Sequence, residues 1–143
     1  MTVSVWLKGT GSNINSAGVG NLGNSGQRGW HLGITSTNGL YWLIPISATG
    51  FVFCAILNDP TKWTHYVGTA KVGKKGKLYK DGILVAETAV VTSLYGGNPL
   101  PTTIGSNRGS YFVNGSMDEV KIFNKAYDNL IDVNLLRIGQ NPR

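Results

Sequence analysis

At 143 residues the chain is the size of one domain, long enough to bury roughly 70% of its unfolded surface without staples. Its one cysteine, Cys54, excludes an intrachain disulfide, and no apolar run reaches the ~20 residues that cross a bilayer, so membrane insertion is not expected. The net charge of +6 does not read as a nucleic-acid surface, because only 14% of residues are charged and five of the thirteen basic ones are bunched between Lys71 and Lys80.

Taken in chain order, the sequence reads as short strands separated by turn residues. TVSVWLK sets Val3, Val5 and Leu7 against Thr2, Ser4 and Trp6, the period of a half-buried strand. GTGSNINSAGVGNLGNSGQRG is mostly glycine, asparagine and serine, which predicts loop with at most one weak strand. WHLGITS and LYWLIPI follow as two strands around TNG, with Pro45 confining the second to an edge or a strand end. GFVFCAIL is a nearly continuous apolar run, as expected of a strand buried on both faces, in which Cys54 packs as a small hydrophobe. WTHYVGT places Trp63, His65 and Val67 on one face and Thr64 and Tyr66 on the other. KLYKDGILVAE is a hairpin about Asp81-Gly82, and the five lysines line turns and strand ends at one rim. There they keep an edge soluble or, on a second reading, form a polyanion patch. TAVVTSLY is a strand, GGNPLP a loop, TTIGSN a short strand, RGSYFVNGS a turn region and MDEVKIFN a strand with Val120 and Ile122 on one face. YDNLIDVNLLRIG changes period, with Leu130, Val133 and Leu136 spaced by three, which predicts a short helix capped by Asp128. The fold class is therefore all-β, an antiparallel two-sheet jelly-roll sandwich with a short C-terminal helix.

The succession SVWLK, GWHLGI, KWTHYVGT, KLYKDGILVAE, TTIGSNRG and YFVNGSMDEVKIFNKA resembles the LamG-like jelly rolls of the concanavalin A-like lectin and glucanase superfamily. The resemblance covers about residues 2 to 127, and it implies a jelly-roll domain over 1–126 followed by a helix and tail over 127–143. Members of that family usually begin with one more strand ahead of the segment matched by TVSVWLK. Its place beside the last strand is then expected to be taken by the C-terminal helix or a neighbouring subunit, or to stay open. The same segment often contributes to calcium sites where the family binds calcium, so neither calcium nor another cofactor is expected.

Catalytic chemistry has little to draw on. Glycoside hydrolysis needs two carboxyl groups flanking one bond. The superfamily's glucanases carry an E-x-D-x-x-E run that does not occur here. Asp118 and Glu119 are neighbours on a strand, hence directed to opposite faces, and Asp118 reads as a partner of a nearby turn. His31 and His65 each lie beside a tryptophan, with no serine or cysteine nucleophile in a recognisable pattern and no metal-ligand spacing, so both read as packed core histidines. No enzyme is expected. Sugars are held by flat aromatic faces and planar amides on the loops of a rigid scaffold, and Trp42, Tyr95, Asn98, Asn107, Arg108, Tyr111 and Asn114 fall in or near predicted loops. They form the expected ligand set of a noncatalytic carbohydrate-binding or adhesion module, meeting a glycan or cell-surface polysaccharide in an extracellular setting. A structural alternative is a decoration or fibre component on a virion surface, working as a homo-oligomer or against a neighbouring subunit. A glycoside hydrolase ranks third.

Overall fold

Alternation of apolar and polar residues drives most of the chain into strands, and a computed structural model describes residues 1–12, 17–22, 29–96, 100–107, 109–127 and 129–137. The strands are β1 (Thr2–Gly11), β2 (Ala17–Gly20), β3 (His31–Ile34), β4 (Gly39–Pro45), β5 (Phe51–Leu57), β6 (Thr64–Thr69), β7 (Lys75–Lys80), β8 (Ile83–Val90), β9 (Thr103–Ile104), β10 (Ser106–Asn107) and β11 (Tyr111–Phe123), followed by helix α1 (Leu130–Arg137). They form two antiparallel sheets, one of six strands in the order β10-β11-β1-β6-β7-β8 and one of five in the order β5-β4-β3-β2-β9. This is the expected jelly-roll sandwich.

The inner faces meet in one core. Val3, Val5, Leu7, Tyr66 and Leu78 of the larger sheet pack on Val19, Leu32, Ile34, Leu40, Trp42 and Ile44 of the smaller. Trp42 lies across Gly68, where a Cβ would stand 2.5 Å from its ring, and its indole N–H donates to the Thr69 carbonyl at 2.9 Å. A second, smaller cluster forms outside the six-stranded sheet, where Val133 of α1 closes over Val67 and Tyr79. The helix starts at Asn129, whose side chain accepts from the Asp132 N–H and donates to the Asp132 carboxylate; the expected cap, Asp128, lies outside the described residues.

The hairpin about Asp81 (φ 50°) and Gly82 (φ 83°) joins β7 to β8 as expected, with the two positive φ angles of a two-residue turn, and Pro45 ends β4. Several local expectations are corrected. GFVFCAIL is the edge of the five-stranded sheet rather than a doubly buried strand: Cys54 is buried while Phe53 and Leu57 are 52% and 76% exposed. Burial, with Glu87 as a lesser cause, pushes the Cys54 thiol up to about 12, which keeps it protonated. Of RGSYFVNGS only Gly109-Ser110 is turn among the described residues, since β11 begins at Tyr111, whereas the strand expected over TAVVTSLY ends at Val90. The lysines do not share one rim. Lys71 and Lys74 lie in the turn before β7, and Lys75 and Lys80 at the two ends of that strand are roughly 17 Å apart at strand rise.

The place beside the last strand is open among the described residues: β10 pairs with β11 only through Tyr111 and Phe112, and α1 packs on the sheet face instead. The exposed stretch carries Asp118, Glu119 and Lys121 together with a bulge, where Glu119 takes φ 51° and the register with β1 shifts between Ser4 and Trp6. That bulge interrupts the simple alternation expected of Asp118 and Glu119.

Candidate functional site

One end of the sandwich holds a cavity of about 330 Å³ between chain segments far apart in sequence. Met1 leads into β1; Ala70, Lys71 and Val72 leave β6; Leu94 follows β8; and Asn124, Lys125 and Ala126 follow β11. Short bonds fix these segments. Ala70 N–H donates to the Met1 carbonyl at 2.9 Å, the Thr2 hydroxyl donates to the Lys125 carbonyl at 2.8 Å, and Tyr127 N–H donates back to that hydroxyl at 2.8 Å. The Lys125 ammonium stands 5.4 Å from the centre of the Tyr127 ring, which itself meets Phe123 edge-on at 5.1 Å. On the opposite wall the Ser93 hydroxyl donates to the Ile46 carbonyl and Tyr95 N–H to the Pro45 carbonyl, tying the Leu94 segment to the smaller sheet.

The walls combine two kinds of surface. Val72 and Leu94 are about half exposed and offer an apolar patch, while Asn124 supplies an amide and Lys71 and Lys125 two ammonium groups. Such a cavity can seat the apolar face of a sugar ring, hydrogen-bond its hydroxyls and favour a negative charge.

The residues named from sequence do not form one site. Trp42 sits at the centre of the core with 0% exposure, so it has no face to give a ligand and its place in the set is corrected. Tyr95, half-buried, adjoins Leu94 at the cavity end. Asn107 and Tyr111 are register partners of β10 and β11, and Asn114 pairs with Thr10 at the other end of β1. Asn107 is nearly buried, Tyr111 half-buried and Asn114 exposed. Asn98 and Arg108 lie outside the described residues. Lys71, Leu94, Asn124 and Lys125 were missed because no single window of sequence contains them, although Asn124-Lys125-Ala126 closes the quoted run DEVKIFNKA.

The imidazoles lead elsewhere. Ser4 Oγ and His65 Nε2 are 2.8 Å apart on adjacent strands, a serine–histidine contact that sequence spacing concealed. Ser4 is 1% exposed and Asp81 accepts from the His65 backbone N–H, not from its ring, so no substrate reaches the hydroxyl and no carboxylate orients the base. The Trp6 ring meets His65 at 5.2 Å between centres, tilted by 43°. Burial is the main cause that holds His65 down from 6.5 to about 4, with Asp81 opposing it. The depressed value has a sign: between pH 6.5 and 4 the unfolded chain takes up a proton that the folded ring refuses. The stabilising contribution is complete above pH 6.5 and falls by about 3 kcal/mol on the way to pH 4. Urea unfolding of the protein and of His65→Gln should therefore diverge by that amount over this range, and parallel pH profiles would refute the assignment.

The carboxylates are engaged singly. Glu87 pairs with Lys75 at 3.2 Å, Glu119 with Lys121 at 3.3 Å, and the Asp118 carboxylate accepts from the Glu119 N–H at 2.8 Å. Asp59 accepts from both the hydroxyl and the N–H of Thr61 and pairs with Lys62, which together lower it to about 2. Among the described residues no three His, Cys, Asp or Glu side chains converge as a metal site, and no helix is long and apolar enough to cross a membrane.

Known proteins resemble the whole of this framework. The Laminin_G_3 profile of the concanavalin A-like lectin/glucanases superfamily matches residues 1–129, and the chain belongs to that family. No curated protein sequence matches it. Among solved structures, the receptor-binding domain of botulinum neurotoxin C/D mosaic serotype superposes with a TM-score of 0.68 at 16% identity, over 97% of this chain and 36% of that one. The binding domain of Paraclostridial Mosquitocidal Protein 1 superposes at 0.63 with 17% identity, over 94% and 36% of the two chains. A botulinum neurotoxin type C structure, whose cell entry depends on interaction with two ganglioside molecules, superposes at 0.64 with 20% identity, over 94% and 34%. The chain thus spans about a third of the length of these neighbours.

Proposed function

We propose that this member of the concanavalin A-like lectin/glucanases superfamily is a noncatalytic carbohydrate-binding or adhesion module working outside the cell, and that it seats an acidic glycan in the cavity beside Lys71, Asn124 and Lys125. Residues 1–126 form the jelly-roll domain that carries the recognition, and within the C-terminal segment 127–143 helix α1 braces the outer sheet face. The observation that carries this reading is the cavity itself, a concave site with an apolar patch, an amide and two ammonium groups held on rigid strand ends. The family and the toxin binding domains agree with it at the level of class. The singly engaged carboxylates and the sealed Ser4–His65 pair favour binding over hydrolysis.

The ligand set at the far end, around Tyr111 and Asn114, is the competing location. A glycan array followed by titration decides between them. Asn124→Ala and Lys125→Ala should each weaken an acidic glycan about tenfold, the worth of one lost charged or polar contact, while Tyr111→Ala and Asn114→Ala leave it unchanged. The reverse pattern would move the site to the β10–β11 end. Absence of any glycan ligand would remove the reading.

A further inference from the structure

The sandwich ends in four sheet edges, and three of them carry devices that discourage strand pairing. The β11 edge has its bulge and the charges of Asp118, Glu119 and Lys121. The β8 edge has Glu87 in its ion pair and two irregularities in its register with β7. The β9 edge is two residues long. The β5 edge differs from all of these. Its seven residues, FVFCAIL, hold no charge and no proline, and their register with β4 runs unbroken from Gly39 opposite Leu57 to Pro45 opposite Phe51. Among the described residues no further strand pairs with its outer side, and the strand is apolar throughout.

Its outer face is also apolar. Phe51 and Phe53 stand 5.9 Å apart between ring centres, with Tyr41 6.2 Å from Phe53. β8 lies against β5, and the exposed apolar residues of β8 include Ile83, Leu84, Val85 and Val90.

From this edge we infer that two copies of the chain pair antiparallel through β5, about a two-fold axis at Cys54, to make one continuous sheet across the dimer. The residues are self-complementary under that operation. Phe53 falls opposite Ala55 of the partner, so a large ring meets a small side chain, and Phe51 falls opposite Leu57. No charge on β5 opposes its own copy, and Glu87, which lies near Cys54, is already matched by Lys75. Pairing covers the outer side of β5 along its seven residues, and the exposed side chains of Phe51, Phe53 and Leu57 gain neighbours across the seam. The two-fold arrangement also places two glycan cavities on one particle, which raises avidity for a multivalent surface. The dimer itself does not depend on the glycan reading.

Sedimentation equilibrium from micromolar to hundreds of micromolar protein tests it. The expected result is a mass twice that of the chain, falling to the monomer on dilution. Phe53→Lys and Leu57→Lys, both at exposed positions, should raise the dissociation constant about tenfold or more with circular dichroism and melting temperature unchanged, while Ile122→Lys on the β11 edge leaves it unaltered. A monomer at every concentration overturns the proposal and leaves β5 for an unlike strand. A dimer indifferent to both β5 lysines overturns it too, by placing the interface elsewhere.

Discussion

Trp42→Ala should lose about 3 to 5 kcal/mol of stability, enough to bring a domain of ordinary stability to the margin of folding. The side chain is wholly buried between the sheets, lies flat on the backbone of Gly68, and meets Trp30 at 6.4 Å between ring centres. Its removal leaves a cavity the size of an indole, walled by strands that cannot collapse into it, and strands the Thr69 carbonyl that accepts its N–H. Trp42→Phe keeps most of the packing and loses chiefly the hydrogen bond, so it should cost about 1 to 3 kcal/mol. Denaturant unfolding checks both, and near-equal losses would contradict the account. The pair also separates folding from recognition: if Trp42→Ala abolishes glycan binding it does so by unfolding, whereas the folded Trp42→Phe should bind as the parent does.

Gly115→Ala should cost about 3 kcal/mol, through a different physical cause. Gly115 faces Gly9 where β1 and β11 cross at close range, and a Cβ there would stand 2.1 Å from the Lys8 carbonyl oxygen and 2.7 Å from the Gly9 Cα. Backbone atoms have no rotamer to escape into, so the two strands must part. Gly73 provides the contrast. It has φ +79° but open space around it, so Gly73→Ala carries only the strain of a left-handed alanine, about 1 kcal/mol. Equal costs at the two positions would show that conformation, not the close approach, governs both.

Features decided by neighbours in the chain were readable in advance. Asp81-Gly82 specifies its turn by two adjacent residues, and the alternation in TVSVWLK specifies a strand, although the half-buried reading is corrected: Thr2, Ser4 and Trp6 are buried along with Val3, Val5 and Leu7. The order of quoted segments was enough to identify the family as well. What stayed hidden depends on residues brought together from afar. FVFCAIL has the same composition whether it lies at the edge or the centre of a sheet, because only the neighbouring strands decide that. Trp42 sits three residues beyond a turn and looked available, yet Gly68, 26 positions later, makes the seat that buries it. The cavity draws on four separate segments, and Ser4 meets His65 across 61 positions. The bulge at Glu119 was concealed for a related reason, since a left-handed glutamate follows from how β11 must match β1 and not from the letters DEV.

The claim that this fold binds an acidic glycan at the strand-end cavity is tested most directly by following backbone amide resonances while an acidic oligosaccharide from the array is added. The account predicts saturable shifts confined to Lys71, Val72, Leu94, Asn124, Lys125 and their neighbours. Shifts centred on Tyr111 and Asn114, or none at all in the presence of a ligand bound by other means, would contradict it.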